Sequence, residues 1–327
     1  MKLSDAGELS LLQILRKRFS KKSGDILLGI GDDCAVIGAR NAKTLLTTDM
    51  MIEGVHFDLT WTTPYQIGFK LVSVNVSDIY AMGGRPKFLL LDFAAGKHTS
   101  MDFFNDFLRG IGKAMEKYRL FLVGGDISSS EKIMLSATAV GYASRIISRK
   151  GAGIGDKIYV TGNIGDSACG LELLKRIKKP VDTERSDRIK FPLKRDIIFP
   201  LIKKHLMPTP RNPERFKSNA TSMIDISDGL LIDLSRLCKE SGVGAKIYLE
   251  DIPISDELRK TSEYLKLSPL EFALGGGEDY ELLFTARPDK NVRTFCIGEI
   301  TKSGIKVLDS AGRPLKISIK GYQHFAS

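Results

Sequence analysis

Seven aspartates lie at the ends of apolar runs rather than on polar faces: Asp32, Asp33, Asp49, Asp78, Asp126, Asp225 and Asp228. An ionised carboxylate beside a packed core is costly unless a cation compensates it, and most of these positions have no adjacent Arg or Lys. Short Asp side chains suit magnesium, a small hard cation that keeps several waters and completes its octahedron with substrate phosphates. No segment fits Gly-x-x-x-x-Gly-Lys-Ser/Thr, and no Rossmann fingerprint opens a βαβ unit. The glycine-rich pieces stand beside acidic residues instead, which points to phosphate held through metal rather than through bare backbone amides.

Alternating elements must position these groups. Leu9, Leu12, Leu15 and Phe19 recur at helical spacing, giving an amphipathic opening helix with a basic outer face. The loop GIGDD, residues 29–33, then leads into an apolar run from Ala35 to Ile37. Residues 44–52 suit a strand that carries Thr47, Thr48 and Asp49, with His56 shortly after. Residues 64–82 read as a helix opened by Pro64 and ended by Gly83-Gly84, with an inward stripe of Ile67, Leu71 and Val74. Asp78 continues that stripe one turn past Val74, the strongest single argument that it meets a cation. A strand over 88–95, a helix through Phe103, Phe107, Ile111 and Met115, and a strand through Leu120 and Leu122 follow. Gly124-Gly125-Asp126 comes next, just past that strand, where glycine lets backbone approach a ligand. A further strand spans 133–143.

The basic, glycine-rich segment SRIISRKGAGIGDK marks a boundary between a domain over 1–145 and one over 146–327. The second half opens with a strand over 157–161, helices near 167–177 and 194–206, and between them a charged excursion over 178–190. SMIDISDGLLIDLSRLCKE reads as a strand through Ile226, a turn, and a helix carrying Leu230, Leu234 and Leu237. Asp225 and Asp228 flank Ser227 at that junction, a natural place for metal and phosphate. GGGEDYELLFTA, residues 275–286, is a glycine loop followed by a strand, with Glu278 and Asp279 at its entrance. Several of these residues also have plainer readings. Asp228 and Asp279 could be turn formers that cap helices, Ser227 an N-cap, and Glu278 part of a helix first turn. His56 could be a structural histidine, and Arg149 a solvated charge in the linker.

Composition sets the class. The chain has 327 residues, 43% of them hydrophobic, which suits a globular protein of two domains. Forty-nine basic residues against 39 acidic give +10, but the basic clusters near residues 16–22, 175–179 and 211–217 are separate and lack interleaved aromatics. That disfavours nucleic acid as a partner. Cys34, Cys169, Cys238 and Cys296 are scattered and form no zinc or disulfide pattern. No run approaches the 18 or so apolar residues of a membrane span, and no export signal is evident. A cytoplasmic protein without a membrane partner is expected.

GIGDD, TTD followed by GVHF, NVSDIYAMGG, VGGD, DISDGL, GGGEDYELLF and the terminal GYQHF occur in this order along nearly the whole chain. In this the sequence resembles the thiamine-monophosphate kinase family of the aminoimidazole-ribonucleotide synthetase-like superfamily. The resemblance implies an α/β (α+β) fold of two domains, with mixed sheets flanked by helices. It also implies a homodimer whose N-terminal sheets associate about the twofold axis. It further implies a cleft between domains holding ATP, several Mg²⁺ ions and thiamine monophosphate. Carried onto matching positions, Asp33, Thr47, Thr48, Asp49, Asp78, Asp126, Asp225 and Asp228 would ligate magnesium, with Asp32 either doing so or orienting the loop. Gly125, Asp126, Arg149 and Ser227 would contact ATP, and His56, Glu278 and Tyr322 the thiamine monophosphate. Ile127 after GGD and Met50-Met51 after TTD depart from the family's commoner Thr and Thr-Leu.

A phosphate monoester has its second pKa near about 6, so its oxygen attacks without a general base and no catalytic dyad is required. Repulsion between anions is the obstacle, and clustered cations answer it. Related synthetases that make selenophosphate carry a reactive Cys or selenocysteine in an N-terminal glycine-rich loop, which this chain lacks. Synthetases of the same superfamily that activate an amide oxygen, and a non-catalytic binder of magnesium nucleotides or of nucleic acid, are the other rivals.

Overall fold

The computed structural model describes residues 26–28, 32–33, 35–38, 43–183, 191–315 and 321. The amphipathic opening segment, residues 29–31 of GIGDD, Cys34, residues 184–190 of the charged excursion and Tyr322 lie outside the described residues.

Two six-stranded sheets organise the chain. The first contains β1 (Ile26–Leu28), β2 (Ala35–Gly38), β3 (Lys43–Ile52), β4 (Arg85–Ala95), β5 (Phe121–Ser129) and β6 (Met134–Ala143), in the spatial order β1-β2-β3-β6-β4-β5. Helices α1 (Pro64–Ala81) and α2 (Met101–Tyr118) pack on one face of it. The second sheet contains β7 (Lys157–Val160), β8 (Ala220–Asp225), β9 (Gly244–Tyr248), β10 (Leu282–Ala286), β11 (Phe295–Thr301) and β12 (Ile305–Leu308), in the order β12-β9-β11-β7-β10-β8. Its helices are α3 (Asp166–Ile177), α4 (Arg195–Leu206), α5 (Leu230–Ser241), α6 (Asp256–Leu265) and α7 (Pro269–Gly275). Both sheets are mixed: β4 with β5 and β9 with β12 are parallel, and the other pairs are antiparallel.

β3 shows why a strand positions this chemistry. Its side chains alternate, with Leu45 and Met51 buried on the α1 side and Thr48 and Met50 exposed on the other. Thr47 and Asp49 share the face of Leu45 and Met51, so the strand presents them toward α1.

α1 begins with a capping box: the Thr63 hydroxyl accepts from the Gln66 amide, and the Gln66 side chain accepts from Thr63 N–H at 2.9 Å. Pro64 occupies the first turn. The sequence predicts one inward stripe, but nearly every residue of the helix is buried, because it packs on β3, β6 and α2 and also reaches β8 of the second half. Polar Lys70, Ser73, Asn75 and Ser77 are therefore buried beside the apolar residues and must find partners. The α1–α2 crossing is so close that a Cβ on Gly110 would lie 1.9 Å from the Tyr65 carbonyl oxygen, and one on Gly68 2.3 Å from that of Phe107.

The sequence ends a strand before GGD, yet β5 runs on through it to Ser129. Pairing with β4 supplies the reason. Gly125 adopts φ +151°, and a Cβ there would sit 1.8 Å from the Leu91 carbonyl oxygen, so the glycine permits a close strand approach rather than ending the strand. β9, β11, β12, α6 and α7 carry no site residue and had no distinctive signal.

Candidate active site

Carboxylates from both halves converge where α1 meets the end of β8. Oxygens of Asp33, between β1 and β2, of Asp78 on α1 and of Asp225 at the end of β8 all lie within 4.8 Å of one another. The Thr47 hydroxyl donates to the Asp78 carboxylate, and Ser77 Oγ donates to Asp225 Oδ2 at 2.6 Å. The Asp49 amide donates to Asn75 Oδ1 at 3.2 Å, fixing β3 against the helix.

The electrostatics follow from that crowding. Burial, then the charges of Asp49, Asp225 and Asp33, push the Asp78 carboxyl well above its usual range, while the Thr47 hydrogen bond works the other way. Asp225 is likewise pushed well up by burial and by Asp33. Burial, Asp228 and Asp33 raise Asp49 to about 6. Burial and Asp33 raise Asp32 to about 7 against the opposing charge of Arg149.

Arg149 is not the solvated linker charge of the plainer reading. Its Nη2 donates to Asp33 Oδ1 at 2.6 Å, and its backbone N–H donates to Asp32 Oδ2 at 3.0 Å. Burial opposes its charge, but Asp33 and Asp32 hold the guanidinium firmly protonated. Arg236, which sequence reading passed over, pairs with Asp228 and with Asp233. Asp228 is thus tied to a cation rather than capping α5, and Ser227 does not cap it either, since the residue before the first turn is Gly229.

A second cluster gathers around Glu278. Lys70 Nζ lies 2.8 and 2.9 Å from its two carboxylate oxygens, and His205 Nδ1 lies 3.1 Å from Oε2. Burial raises the carboxyl, but Lys70, His205 and, more weakly, His56 together hold it below the usual range. His205 is driven down to about 3 by burial and by Lys70. His56 Nδ1 accepts from the Ile52 amide at 3.0 Å. Glu278 is in no helix first turn: it has φ +64° in a loop, and Tyr280 has φ +50°. The loop is tied to the Asp225 turn, because Glu278 N–H donates to Ser227 O at 2.6 Å and Tyr280 N–H to Ile226 O at 2.9 Å. Asp279 is a helix cap after all, but of α3, accepting from Gly165 and Ser167 amides at 2.6 and 3.1 Å. Lys70, His205 and Tyr280 are functional candidates that sequence reading missed; a Lys in the middle of an apolar helix was the one available signal.

Two expected positions lie elsewhere. Asp126 is in register with Asp92, which pairs with Ser136, which pairs with Met50. That row faces away from α1, so the exposed Asp126 is on the opposite side of the sheet from Asp49, three strands away. Its amide donates to Asp92 Oδ1 at 3.1 Å. Thr48 also faces outward, donating to Ala137 O at 3.1 Å. Strand alternation separates Thr48 from its neighbours Thr47 and Asp49 in a way their adjacency in sequence conceals.

Comparison with known proteins gives a consistent picture. Residues 31–143 match the family described as AIR synthase related protein, N-terminal domain, and residues 153–306 match its C-terminal domain. The thiamine-monophosphate kinase of Aquifex aeolicus is 38% identical over 99% of this chain and 100% of its own length. That of Escherichia coli K12 is 36% identical over 98% and 99%. The solved structure of AaThiL complexed with AMPPCP and TMP superposes with a TM-score of 0.86 at 36% identity, covering 99% of both chains.

Proposed function

The chain belongs to the thiamine-monophosphate kinase family, and we propose that it transfers the γ-phosphoryl group of ATP directly to thiamine monophosphate, giving thiamine diphosphate. The observation that carries this reading is the meeting of Asp33, Asp78 and Asp225 from both halves of the chain at one point. Hard carboxylate oxygens so close together are a donor set that fits Mg²⁺, and burial, then neighbouring carboxylates, push Asp78 and Asp225 toward their acid forms unless a cation compensates them.

Asp33, Asp49, Asp78, Asp225 and Asp228 would hold magnesium, with Thr47 orienting Asp78. Bound there, the ions would neutralise the anionic oxygens that must approach one another in line. Arg149 remains charged at any working pH and would contact a nucleotide phosphate beside Asp33, with Ser227 across the turn. Glu278, kept ionised by Lys70 and touched by His205, would face the cationic ring system of thiamine monophosphate together with His56. Tyr322 is assigned to the same acceptor by resemblance alone. No side chain need take a proton, since the acceptor phosphate is already largely ionised at neutral pH.

Asp126, Gly125 and Thr48 join this scheme through a second copy. They lie on or beside the outward face of the N-terminal sheet, whose edge strand β5 leaves Phe121, Leu122, Val123 and Ile127 exposed. An apolar edge that pairs with no further strand among the described residues is a surface that a homodimer would cover. We divide the chain into residues 1–145 and 146–327, and place the reaction in the cytoplasm, with small molecules and a second copy as its partners. Among the described residues no helix is long and apolar enough to cross a membrane.

The test is direct. Purified protein incubated with ATP, Mg²⁺ and thiamine monophosphate should yield thiamine diphosphate and ADP in equal amounts. Nucleotide binding without turnover, or release of free phosphate alone, would reject the kinase reading.

A further inference from the structure

Ser227, Asp228 and Gly229 present three consecutive N–H groups at the N-terminus of α5, an arrangement that takes a phosphate directly in many nucleotide sites. Here the place is filled from within. Asp233 Oδ2 accepts from all three amides, at 3.1, 3.0 and 3.1 Å. Its side chain is 1% exposed, and its Oδ1 accepts from Arg236 Nη1 at 2.7 Å. The same Nη1 donates to Asp228, so one guanidinium joins the buried carboxylate to the one facing the cleft. Asp225 immediately precedes this turn on β8, and Ser227 O receives the Glu278 amide. The turn's backbone therefore links the two acidic positions on one side to the acceptor loop on the other.

We propose that Asp233 is the positioning residue of the metal-binding turn. Acting through the amides of residues 227–229, and through Arg236 on Asp228, it sets the spacing of Asp225 and Asp228. By occupying the amide nest it also keeps nucleotide phosphate out, so that phosphate is held through cations. This rests on the kinase reading above and adds to it a residue that touches neither substrate nor metal. Partners of this kind orient ligands, and losing them typically weakens metal affinity by about tenfold to a hundredfold.

The experiment measures Mn²⁺ binding to the metal-free full-length protein by electron paramagnetic resonance, without nucleotide. Wild type is compared with Asp233→Asn, Arg236→Gln and Asp156→Asn. Asp156 is a matched control, a buried carboxylate that accepts from Gly153 N–H at 2.9 Å and Thr221 Oγ1 at 2.7 Å. The proposal expects Asp233→Asn to bind Mn²⁺ about tenfold to a hundredfold more weakly, Arg236→Gln to weaken it in the same direction, and Asp156→Asn to bind like wild type at comparable thermal stability. The KM for thiamine monophosphate should stay within about twofold in Asp233→Asn while kcat falls, because Lys70 and His205 still hold Glu278. Wild-type Mn²⁺ affinity in Asp233→Asn, or an equal loss in Asp156→Asn, overturns the positioning role and leaves the kinase reading standing. If Asp233→Asn does not fold, wild-type affinity in Arg236→Gln overturns it. A wild-type protein that binds no Mn²⁺ overturns both.

Discussion

At Asp78 charge and packing conflict directly. The residue stands on a helix that is buried nearly all round, with carboxylates of Asp33, Asp49 and Asp225 around it, and its own acid form is favoured by all of them. Asp78→Asn keeps the volume and removes the charge. It should lower kcat by at least about a hundredfold, as expected when a charge acting on the transition state is lost. It should equally leave the metal-free protein as stable as wild type or more so, since it relieves repulsion. Steady-state kinetics and thermal melting in EDTA check the pair of outcomes. A variant that lost stability along with activity would make Asp78 a structural residue. Only the activity loss was foreseeable from sequence. The i+4 relation to Val74 placed Asp78 toward the interior, but its neighbours Asp33 and Asp225 are 45 and 147 residues away.

α1 is the element on which the site depends, since it carries Lys70 to Glu278, Ser77 to Asp225 and Asp78 into the carboxylate cluster. Its depth is set by the crossing with α2 at Gly68 and Gly110. Gly110→Ala would force the Tyr65 carbonyl away, and overpacking of this kind costs about 1–3 kcal/mol, occasionally more. We expect a lower denaturation midpoint together with a fall in kcat/KM, although Gly110 touches no site residue. Unchanged kinetics at reduced stability would mean that the helix does not transmit its position to the cleft. The boundaries of α1 were legible from Pro64 and Gly83-Gly84. The need for glycine on its neighbour was not, because a helix crossing leaves no periodic trace in one sequence.

At the scale of the molecule, charge makes stability depend on pH and on metal. Asp49 and Asp32, raised to about 6 and about 7, bind protons more tightly folded than unfolded. They favour the folded state fully below about pH 4, and that contribution is lost as pH rises through about 6 to 7. His205, lowered to about 3, has the opposite sign and favours folding above about pH 6.5, with loss toward acid. Two raised carboxylates outweigh the one lowered imidazole, so melting of the metal-free protein should weaken as pH rises from about 4 to 6, and weaken more steeply once His205 is replaced by Gln. Saturating Mg²⁺ should restore stability at pH 7 by about 2.7 kcal/mol at a hundredfold excess over Kd. A melting temperature that rose with pH in metal-free His205→Gln would contradict the carboxylate assignment. Ile127, 72% exposed on the edge strand, tests the assembly: Ile127→Asp should shift the mass measured by light scattering from dimer to monomer. A wild-type monomer would remove the role given to Asp126.

Residue types and local periodicity determined much of this protein: the two α/β halves, the magnesium-like carboxylate set, the helix that bears Asp78 and the strand that bears Thr47 and Asp49. These are short-range properties, fixed by side-chain chemistry and by periods of 3.6 and 2. Tertiary structure alone decided which acids meet, that Thr48 and Asp126 face the other side of the sheet, and that Arg149 is buried. It also decided that Lys70, His205 and Asp233 hold the residues that face the cleft. Most of those facts depend on strand register and on contacts between segments far apart in the chain, where packing rather than local pattern chooses the partner; Asp233 reaches a turn only four to six residues away, through a side-chain contact that periodicity does not show.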